Sequence, residues 1–359
     1  MGIITRRNWL AGVAAAAFAA QESENLLRLP RKVRVGLIGL VGHPNEIISP
    51  LPLLPDVEVA AIADPDEAGV KRMMRNPRLA NARHYSDYRR MLDTEKLDIV
   101  AVCNDNGARA AAVIAAAQHK FHVIAEKPLA TNRKDFEAVR REVERQNVGL
   151  GMLVPMRYSP VFAAMKRIVD SGEIGEVAQI DSQKSYRTTS WPEWKSRRSS
   201  YGSTILWIGP HSVDLIRFTS GREITSAFSR QAHIGAPELG DAENATATLF
   251  GLDNGGVAVM RLDYLRPDAA PSHEDDRLRL AGTKGVLEFQ KSTGLTLMTK
   301  NRKPEVVTDL PKPRPLFVDF LDHLYNGRPE GVSRKDIYRI NEIVLAADES
   351  ARNGKIVPA

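Results

Sequence analysis

Short apolar runs alternate with amphipathic runs along the first half of the chain, and this alternation constrains the fold more than any other feature. The apolar runs have the composition of buried strands, at residues 33–39, 57–63, 98–102 and 121–125. Two runs have the apolar spacing of helices, at residues 108–120 and 134–146. Strands that alternate with helices of this length pair in parallel. The pattern predicts an α/β domain with a doubly wound parallel sheet over residues 32–152.

The second half of the chain, residues 153–359, has a different pattern. Five runs have strand composition, at residues 178–186, 246–250, 256–264, 277–281 and 285–290. Asp253-Asn254-Gly255 separates two of them and is typical of a hairpin turn. Helical patterns at 316–325 and 335–353 end at Asn-Gly pairs, where glycine permits a left-handed cap. We predict an α+β domain with an open, largely antiparallel sheet, and its terminal helices are candidates for packing back on the first domain.

The composition excludes several kinds of site. A single cysteine, Cys103, makes an internal disulfide and a thiolate metal cluster impossible, so redox chemistry in this chain depends on a bound cofactor. The net charge is +6, but the basic residues are scattered without interleaved aromatic residues, so nucleic acid is not an expected partner. His273-Glu274-Asp275-Asp276 contains cation-ligating residue types. We interpret it as a solvated hairpin loop and predict no metal site.

The first 31 residues have the pattern of a targeting signal followed by a linker. Arg6 and Arg7 precede an apolar stretch from Trp9 to Ala20, and Ala17-Phe18-Ala19 has the small-x-small spacing of a cleavage site. This segment resembles a twin-arginine export signal, which predicts a periplasmic or other extracytoplasmic location. About a dozen apolar residues are too few to cross a hydrocarbon core of roughly 30 Å, so no stable membrane span is expected. The alternative interpretation is a frayed amino-terminal helix.

A glycine turn follows the first predicted strand and reads Gly39-Leu40-Val41-Gly42-His43-Pro44. A dinucleotide site needs such a turn between a strand and a helix amino terminus, with the pattern G-x-G-x-x-G. Gly39 matches the first position, but Val41 and Pro44 stand where the pattern has glycine. Val41 adds a Cβ and Pro44 removes an N–H donor. The turn therefore predicts a cofactor site, Gly39 to Gly42, with altered binding that Gly42 compensates in part.

Asp64 ends the second predicted strand and is the candidate for choosing the cofactor. A carboxylate at this position accepts hydrogen bonds from the ribose hydroxyls and repels a 2′-phosphate, which favours NAD over NADP. The alternative role is a helix cap, for which Asp66 is the better candidate.

The next two strands also end in polar residues, at the edge where doubly wound sheets bind ligands. Asn104 and Asn106 follow one strand, and Glu126-Lys127-Pro128 follows the other. All five are candidates for contact with the cofactor. A lysine fixed at the end of a buried strand can point its ammonium at a substrate hydroxyl beside the nicotinamide and polarise the reacting oxygen. The alternative is an exposed ion pair between Glu126 and Lys127.

These residues, in this order, resemble the Gfo/Idh/MocA family, named after glucose-fructose oxidoreductase, inositol dehydrogenase and a rhizopine-degrading protein. The resemblance rests on segments spread over nearly the whole chain after the signal: residues 36–42, 63–66, 122–130, 157–160, 171–176, His211 with Asp214, and 350–355. It implies an amino-terminal Rossmann domain that binds NAD(P) and a carboxy-terminal α+β domain whose sheet forms an oligomer interface, in a dimer or tetramer. It also implies oxidation or reduction of sugars and polyols.

The resemblance assigns the remaining site residues. Family dehydrogenases usually have an aspartate four residues before the histidine, but here that position is Trp207. An indole stacks on an apolar sugar face and cannot accept a proton. His211 remains the best general base, and Asp214 is the candidate that orients it. Arg157, Tyr186 and Trp207 are the candidates for substrate binding.

A further stretch, Trp191-Pro192-Glu193-Trp194-Lys195-Ser196-Arg197-Arg198, combines aromatic residues with bases. It is interpreted either as the lining of a carbohydrate or acidic-sugar cleft or as a surface loop packed by its tryptophans.

Three functions fit the sequence. The leading hypothesis is an exported NAD-dependent oxidoreductase acting on a sugar, sugar acid or cyclic polyol, with Lys127 and His211 in catalysis. The first alternative is an NAD-dependent glycosidase that uses transient oxidation and elimination, which the loss of aspartate at position 207 permits. The second alternative is a non-catalytic carbohydrate-binding or regulatory protein, which Val41 and Pro44 favour.

Overall fold

The computed structural model describes residues 26–188 and 190–359. The twin-arginine pattern at Arg6 and Arg7 lies outside these residues. Two sheets organise the described chain. None of its helices within these ranges has the length and apolar composition needed to cross a bilayer.

The first sheet has six parallel strands in the order β3-β2-β1-β4-β5-β6. Its elements are β1 (Val33–Ile38), α1 (Asn45–Ile48), β2 (Val57–Ala63), α2 (Glu67–Met73), β3 (Arg83–Tyr85), α3 (Tyr88–Thr94), β4 (Ile99–Val102), α4 (Asn106–Gln118), β5 (His122–Ala125), α5 (Arg133–Gln146) and β6 (Leu150–Met152). The predicted doubly wound parallel sheet is confirmed. The sequence reasoning missed β3 and β6, because strands of three residues are too short to show a period.

The helix after the glycine turn is shorter than the sequence pattern indicates. It has four residues, Asn45–Ile48, begins after Pro44 and is followed by a 3₁₀ turn at Leu51–Leu53. Pro44 lacks an N–H and supplies no side-chain cap, and Pro50 precedes the second turn. Instead of a long helix amino terminus, the turn offers a single helical turn with a small dipole.

The second sheet has nine strands in the order β14-β13-β12-β11-β7-β10-β9-β8-β15. Its elements are α6 (Pro160–Asp170), β7 (Val177–Tyr186), α7 (Arg198–Tyr201), α8 (Thr204–Ser220), β8 (Ile224–Ala232), β9 (Ala245–Leu252), β10 (Val257–Asp263), β11 (Glu274–Gly282), β12 (Gly285–Gln290), β13 (Gly294–Thr299), β14 (Arg302–Val306), α9 (Leu316–Asn326), α10 (Arg334–Asn353) and β15 (Val357–Pro358). Only β7 and β10 pair in parallel, so the predicted largely antiparallel sheet is confirmed. An oligomer through this sheet stays a prediction.

The terminal helices hold the two sheets together. The apolar residues of α9 belong to the same core as one face of the first sheet. Helix α10 packs on α8 and β8 of the second sheet. Asn341 of α10 also accepts a hydrogen bond of 2.8 Å from the backbone N–H of Leu129, just after β5. These contacts fix the end of β5 relative to α8.

A buried ion pair anchors α8 to the turn before α6. Arg157 Nε donates to both carboxylate oxygens of Asp214 at 3.1 Å, and its Nη1 donates to the Gly331 carbonyl at 2.6 Å. The exposed fractions of the two side chains are 6% and 1%. The predicted roles of Arg157 in substrate binding and of Asp214 in orienting His211 are therefore wrong. The two side chains neutralise each other because an unpaired charge in this core is too costly.

We predict that Asp214→Asn lowers the free energy of unfolding by about 3 kcal/mol, because it leaves Arg157 buried without its main counter-ion. Asp336 lies 3.7 Å from Arg157 but also pairs with Arg217 at 3.0 Å, so it compensates the loss only in part. Urea unfolding followed by circular dichroism measures the change. The control is Arg302→Ala, which removes an exposed ion pair with Glu173 and is expected to change stability by less than about 1 kcal/mol. Equal stability of Asp214→Asn and the native chain would contradict this role of the pair.

Candidate functional site

A cavity of about 570 Å³ lies where the carboxyl edge of the first sheet meets the second sheet. The glycine turn, the residue after β5 and helix α8 line one side, and the ends of β7 and β11 with the loop after β7 line the other. The lining includes Leu40, Val41, Gly42, His43, Lys127, Tyr186, Arg187, Trp191, Trp194, Lys195, Trp207, His211, Tyr264, His273 and Glu274. Its size suits a ligand the size of a monosaccharide beside part of a larger cofactor.

Lys127 is buried at the edge of this cavity, with 1% of its surface exposed. Its Nζ donates to the Trp207 carbonyl at 2.8 Å and lies 3.4 Å from the centre of the Trp207 ring. Burial lowers the pKa of Lys127 to about 7, although Glu126, at 4.0 Å, opposes this effect. The alternative of an exposed ion pair between Glu126 and Lys127 is wrong.

Glu126 is fully buried and holds the glycine turn. Its carboxylate accepts hydrogen bonds from the backbone N–H and the ring Nδ1 of His43. Burial alone would raise the pKa of Glu126, but His43 and Lys127 lower it to about 2. The carboxylate is thus ionised and bound to other residues of the protein, and it holds His43 and Lys127 in place at the edge of the cavity. The sequence singled out His43 only by its place in the turn.

His211 of α8 also lines the cavity, and its ring centre lies 5.4 Å from that of His43. Burial, followed by the positive charge of Lys127, lowers the pKa of His211 well below 6.5. Its Nδ1 is buried and has no hydrogen-bond partner within the described residues. A neutral imidazole in this position can accept a proton. Its orientation comes from the packing of α8, since Asp214 binds Arg157 instead.

The glycine turn packs so closely against the sheet that a side chain at Gly39 or Gly42 would clash with it. Gly39 has a φ of +79°, and a Cβ there would lie 2.5 Å from the Cys103 carbonyl oxygen. Gly42 has a φ of +77°, and a Cβ there would lie 2.3 Å from Glu126 Oε1. The N–H of Val41 donates to the Cys103 carbonyl at 2.7 Å, so this turn is fixed by the strand beside it. The two glycines, both at positive φ, therefore allow the turn to pack directly on the end of the neighbouring strand and on Glu126.

The other strand ends divide into residues that fit a cofactor and residues that do not. Asp64 is half-buried at the end of β2, and Asp66 is the residue that caps α2, through Gly69. Asn104 Oδ1 is buried and has no partner within the described residues. Asn106 is 0% exposed and donates to the Tyr201 carbonyl, so its predicted contact with the cofactor is wrong. The glycine turn, the free Asn104 oxygen and the carboxylate of Asp64 together fit a bound NAD.

Arg109, which the sequence reasoning missed, organises the end of β5. Its buried guanidinium donates to the carbonyls of Asn104, Lys127 and Pro128. Pro128 therefore contributes through the backbone of the turn after Lys127. An arginine on a helix gives no sequence signal of such a role, because these backbone acceptors come from two separate strand ends.

Aromatic side chains extend from Trp207, beside Lys127, to the opposite wall of the cavity. The rings of Trp191 and Tyr264 lie 4.9 Å apart, those of Trp194 and Trp207 lie 5.4 Å apart, and Tyr186 stacks on His273 at 5.4 Å. The loop of Trp191 and Trp194 therefore lines the cavity, as the first of its two interpretations requires. Tyr186 and Trp207 lie at the predicted place for substrate contact.

The acidic segment after His273 is engaged by basic residues. Glu274 pairs with Lys291 at 3.3 Å, Asp275 with Arg277 at 2.8 Å, and Asp276 with Lys184 at 2.7 Å. No cluster of three metal-ligating side chains occurs within residues 26–188 and 190–359. The segment is a strand, β11, rather than the predicted hairpin loop.

Comparison with known proteins places both halves of the chain in one family. Residues 33–153 match the family described as "Oxidoreductase family, NAD-binding Rossmann fold", and residues 162–288 match the "GFO/IDH/MocA C-terminal domain". Together these two matches cover more than half of the chain.

Individual relatives agree with this placement. The chain is 27% identical to the uncharacterized oxidoreductase YrbE of Bacillus subtilis, over 75% of this chain and 77% of that protein. It is 25% identical to myo-inositol 2-dehydrogenase of Thermotoga maritima, over 85% and 92% of the two chains. A solved oxidoreductase structure from Thermotoga maritima superposes with a TM-score of 0.86 at 28% identity, over 91% of this chain and all of that one. The protein belongs to the Gfo/Idh/MocA family and is an oxidoreductase with an NAD-binding Rossmann domain.

Proposed function

We propose that the protein transfers hydride between NAD and a CH–OH group of a sugar, sugar acid or cyclic polyol bound in the cavity beside Lys127. The observation that carries the proposal is the burial of Lys127 at the cavity edge together with the neutral, partly unsatisfied imidazole of His211. Similarity to a myo-inositol 2-dehydrogenase over most of both chains supports a polyhydroxylated substrate. NAD supplies the group that accepts or returns the hydride.

Residues of this chain stabilise the developing charge and transfer the proton. The Lys127 ammonium donates a hydrogen bond to the reacting oxygen and stabilises the charge that develops there. His211 accepts the hydroxyl proton during oxidation and returns it during reduction. Glu126 fixes the position of the ammonium relative to the glycine turn. The indole of Trp207 covers Lys127 and excludes water from it.

Trp207 also supports a second candidate function. Because an indole replaces the aspartate common in family dehydrogenases, a reaction in which oxidation is transient, as in an NAD-dependent glycosidase, fits the same cavity. Net NADH formation with free sugars and polyols supports a dehydrogenase. Release of an aglycone from a glycoside without net NADH supports the glycosidase.

We predict that Lys127→Met lowers kcat/KM by about 10²- to 10³-fold, because the developing charge loses its nearest donor. NADH formation on a panel of sugars and inositols measures the loss. Lys303→Met, the same change on the exposed edge strand β14, is the control and is expected to keep the native rate. Native turnover by Lys127→Met would remove Lys127 from the mechanism.

The pH profile gives a second measurement of the same role. The ammonium form of Lys127 is present below its pKa of about 7 and is lost as the pH rises through that value. His211 is neutral from well below pH 6.5 upward. We expect kcat/KM to fall above about pH 7, and we expect residual activity of Lys127→Arg to lack this fall because arginine stays charged.

We propose that Asp64 makes the enzyme prefer NAD to NADP. Asp64→Ala is predicted to raise the Kd for NAD about tenfold, which corresponds to the loss of one charged hydrogen bond. The difference between the Kd values for NAD and NADP is predicted to become smaller. Isothermal titration with each dinucleotide measures both values. The control is Glu67→Ala, a nearby exposed carboxylate that pairs with Lys71. Unchanged selectivity in Asp64→Ala would refute this role.

We also propose that the protein is exported by the twin-arginine route, on the strength of Arg6, Arg7 and the apolar stretch that follows. Replacement of both arginines by lysine is predicted to keep the protein in the cytoplasm, because the recognition depends on the arginine pair. Fractionation of cells that express the tagged full-length chain measures this. Equal periplasmic amounts of the two proteins would contradict the proposal.

A further inference from the structure

Lys195 places a second ammonium group in the cavity wall, within a cage of three indoles. Its Nζ lies 5.2 Å from the ring centre of Trp191, 5.7 Å from that of Trp194 and 5.3 Å from that of Trp207. Neither the hydrogen bonds nor the ion pairs of the described residues include Lys195 Nζ. Burial lowers the pKa of this group to about 8. A partly desolvated cation that has only aromatic partners retains most of its capacity to bind an anion.

The charges around the cavity are predominantly positive. Lys127, Arg187 and Lys195 line it. Glu274 is the acidic member of the described lining, and it pairs with Lys291 at 3.3 Å. Within residues 26–188 and 190–359, Arg187 donates to the backbone carbonyls of Asp268 and Ala270 and pairs with no carboxylate. A cavity with this balance attracts an anion and disfavours a cation.

We infer that the cavity binds a carbohydrate that carries a carboxylate, a uronate or an aldonate, with the carboxylate paired to Lys195 Nζ and an apolar C–H face against the indoles. This inference rests on the proposed function and narrows its substrate class. When a neutral sugar is bound, the partly desolvated Lys195 ammonium has no ionic partner. A bound carboxylate supplies that partner. A carboxylate matches a single ammonium, while a phosphate ester calls for several donors or an arginine fork.

Tryptophan fluorescence provides a binding assay that does not depend on turnover, because three indoles surround the proposed contact. The holoenzyme with NAD is titrated with D-glucuronate, D-galacturonate and D-gluconate, and with D-glucose, D-galactose and D-glucitol as their neutral partners. We expect the acids to bind about tenfold more tightly, the worth of one charged contact, and to lose this advantage as the salt concentration rises.

Two variants test Lys195 itself. Lys195→Met is expected to weaken binding of the acids about tenfold and to leave the neutral partners unchanged, whereas Lys195→Arg keeps the preference. Lys303→Met controls for the loss of one positive charge, and thermal unfolding checks that each variant is folded. The inference is overturned if none of the acids binds, if D-glucose 6-phosphate binds more tightly than the acids, or if Lys195→Met weakens acids and neutral sugars equally.

NADH formation on the same panel separates this inference from the proposed function. If the acids bind through Lys195 and no member of the panel yields NADH, the anion subsite stands and the dehydrogenase proposal fails. If neutral sugars yield NADH while Lys195→Met leaves binding of the acids unchanged, the dehydrogenase proposal stands and the subsite is refuted.

Discussion

The buried carboxylate of Glu126 ties the parts of the site to one another. It accepts two hydrogen bonds from His43 and lies 4.0 Å from Lys127 Nζ. A buried negative charge is tolerated only with such partners, so the glycine turn and the end of β5 must come together for the chain to fold. The same charge keeps the pKa of Lys127 from falling further than about 7. The Glu126 carboxylate thus influences both the shape of the cavity and the protonation of Lys127.

Trp207 changes the character of this site relative to the aspartate that the family resemblance leads one to expect. The indole covers the Lys127 ammonium at 3.4 Å and contacts the edge of Trp194. A carboxylate at this position would hold the lysine in its charged form and offer a second proton acceptor. The indole does neither, and under the proposed function proton transfer therefore depends on His211 and on the pKa that burial gives to Lys127.

The sequence predicted the secondary structure that depends on a local pattern of residues. It did not predict the roles of side chains whose partners are distant in the sequence. The strands β1, β2, β4 and β5 were predicted because a buried parallel strand is a continuous apolar run. The roles of Arg157 and Asp214 were wrong because the two residues are 57 positions apart and only the fold reveals that they neutralise each other. Asn106 failed for the same reason, since its partner Tyr201 lies in the other half of the chain.

The accumulation of positive charge also couples ligand binding to proton transfer. Lys184 and Lys195 both contribute to the low pKa of Lys127, and Lys127 contributes to that of His211. An anion bound beside Lys195 offsets these repulsions and raises the pKa of Lys127, which keeps its ammonium form at higher pH. Under the proposed function, binding of an acidic ligand would therefore favour the charged form of Lys127.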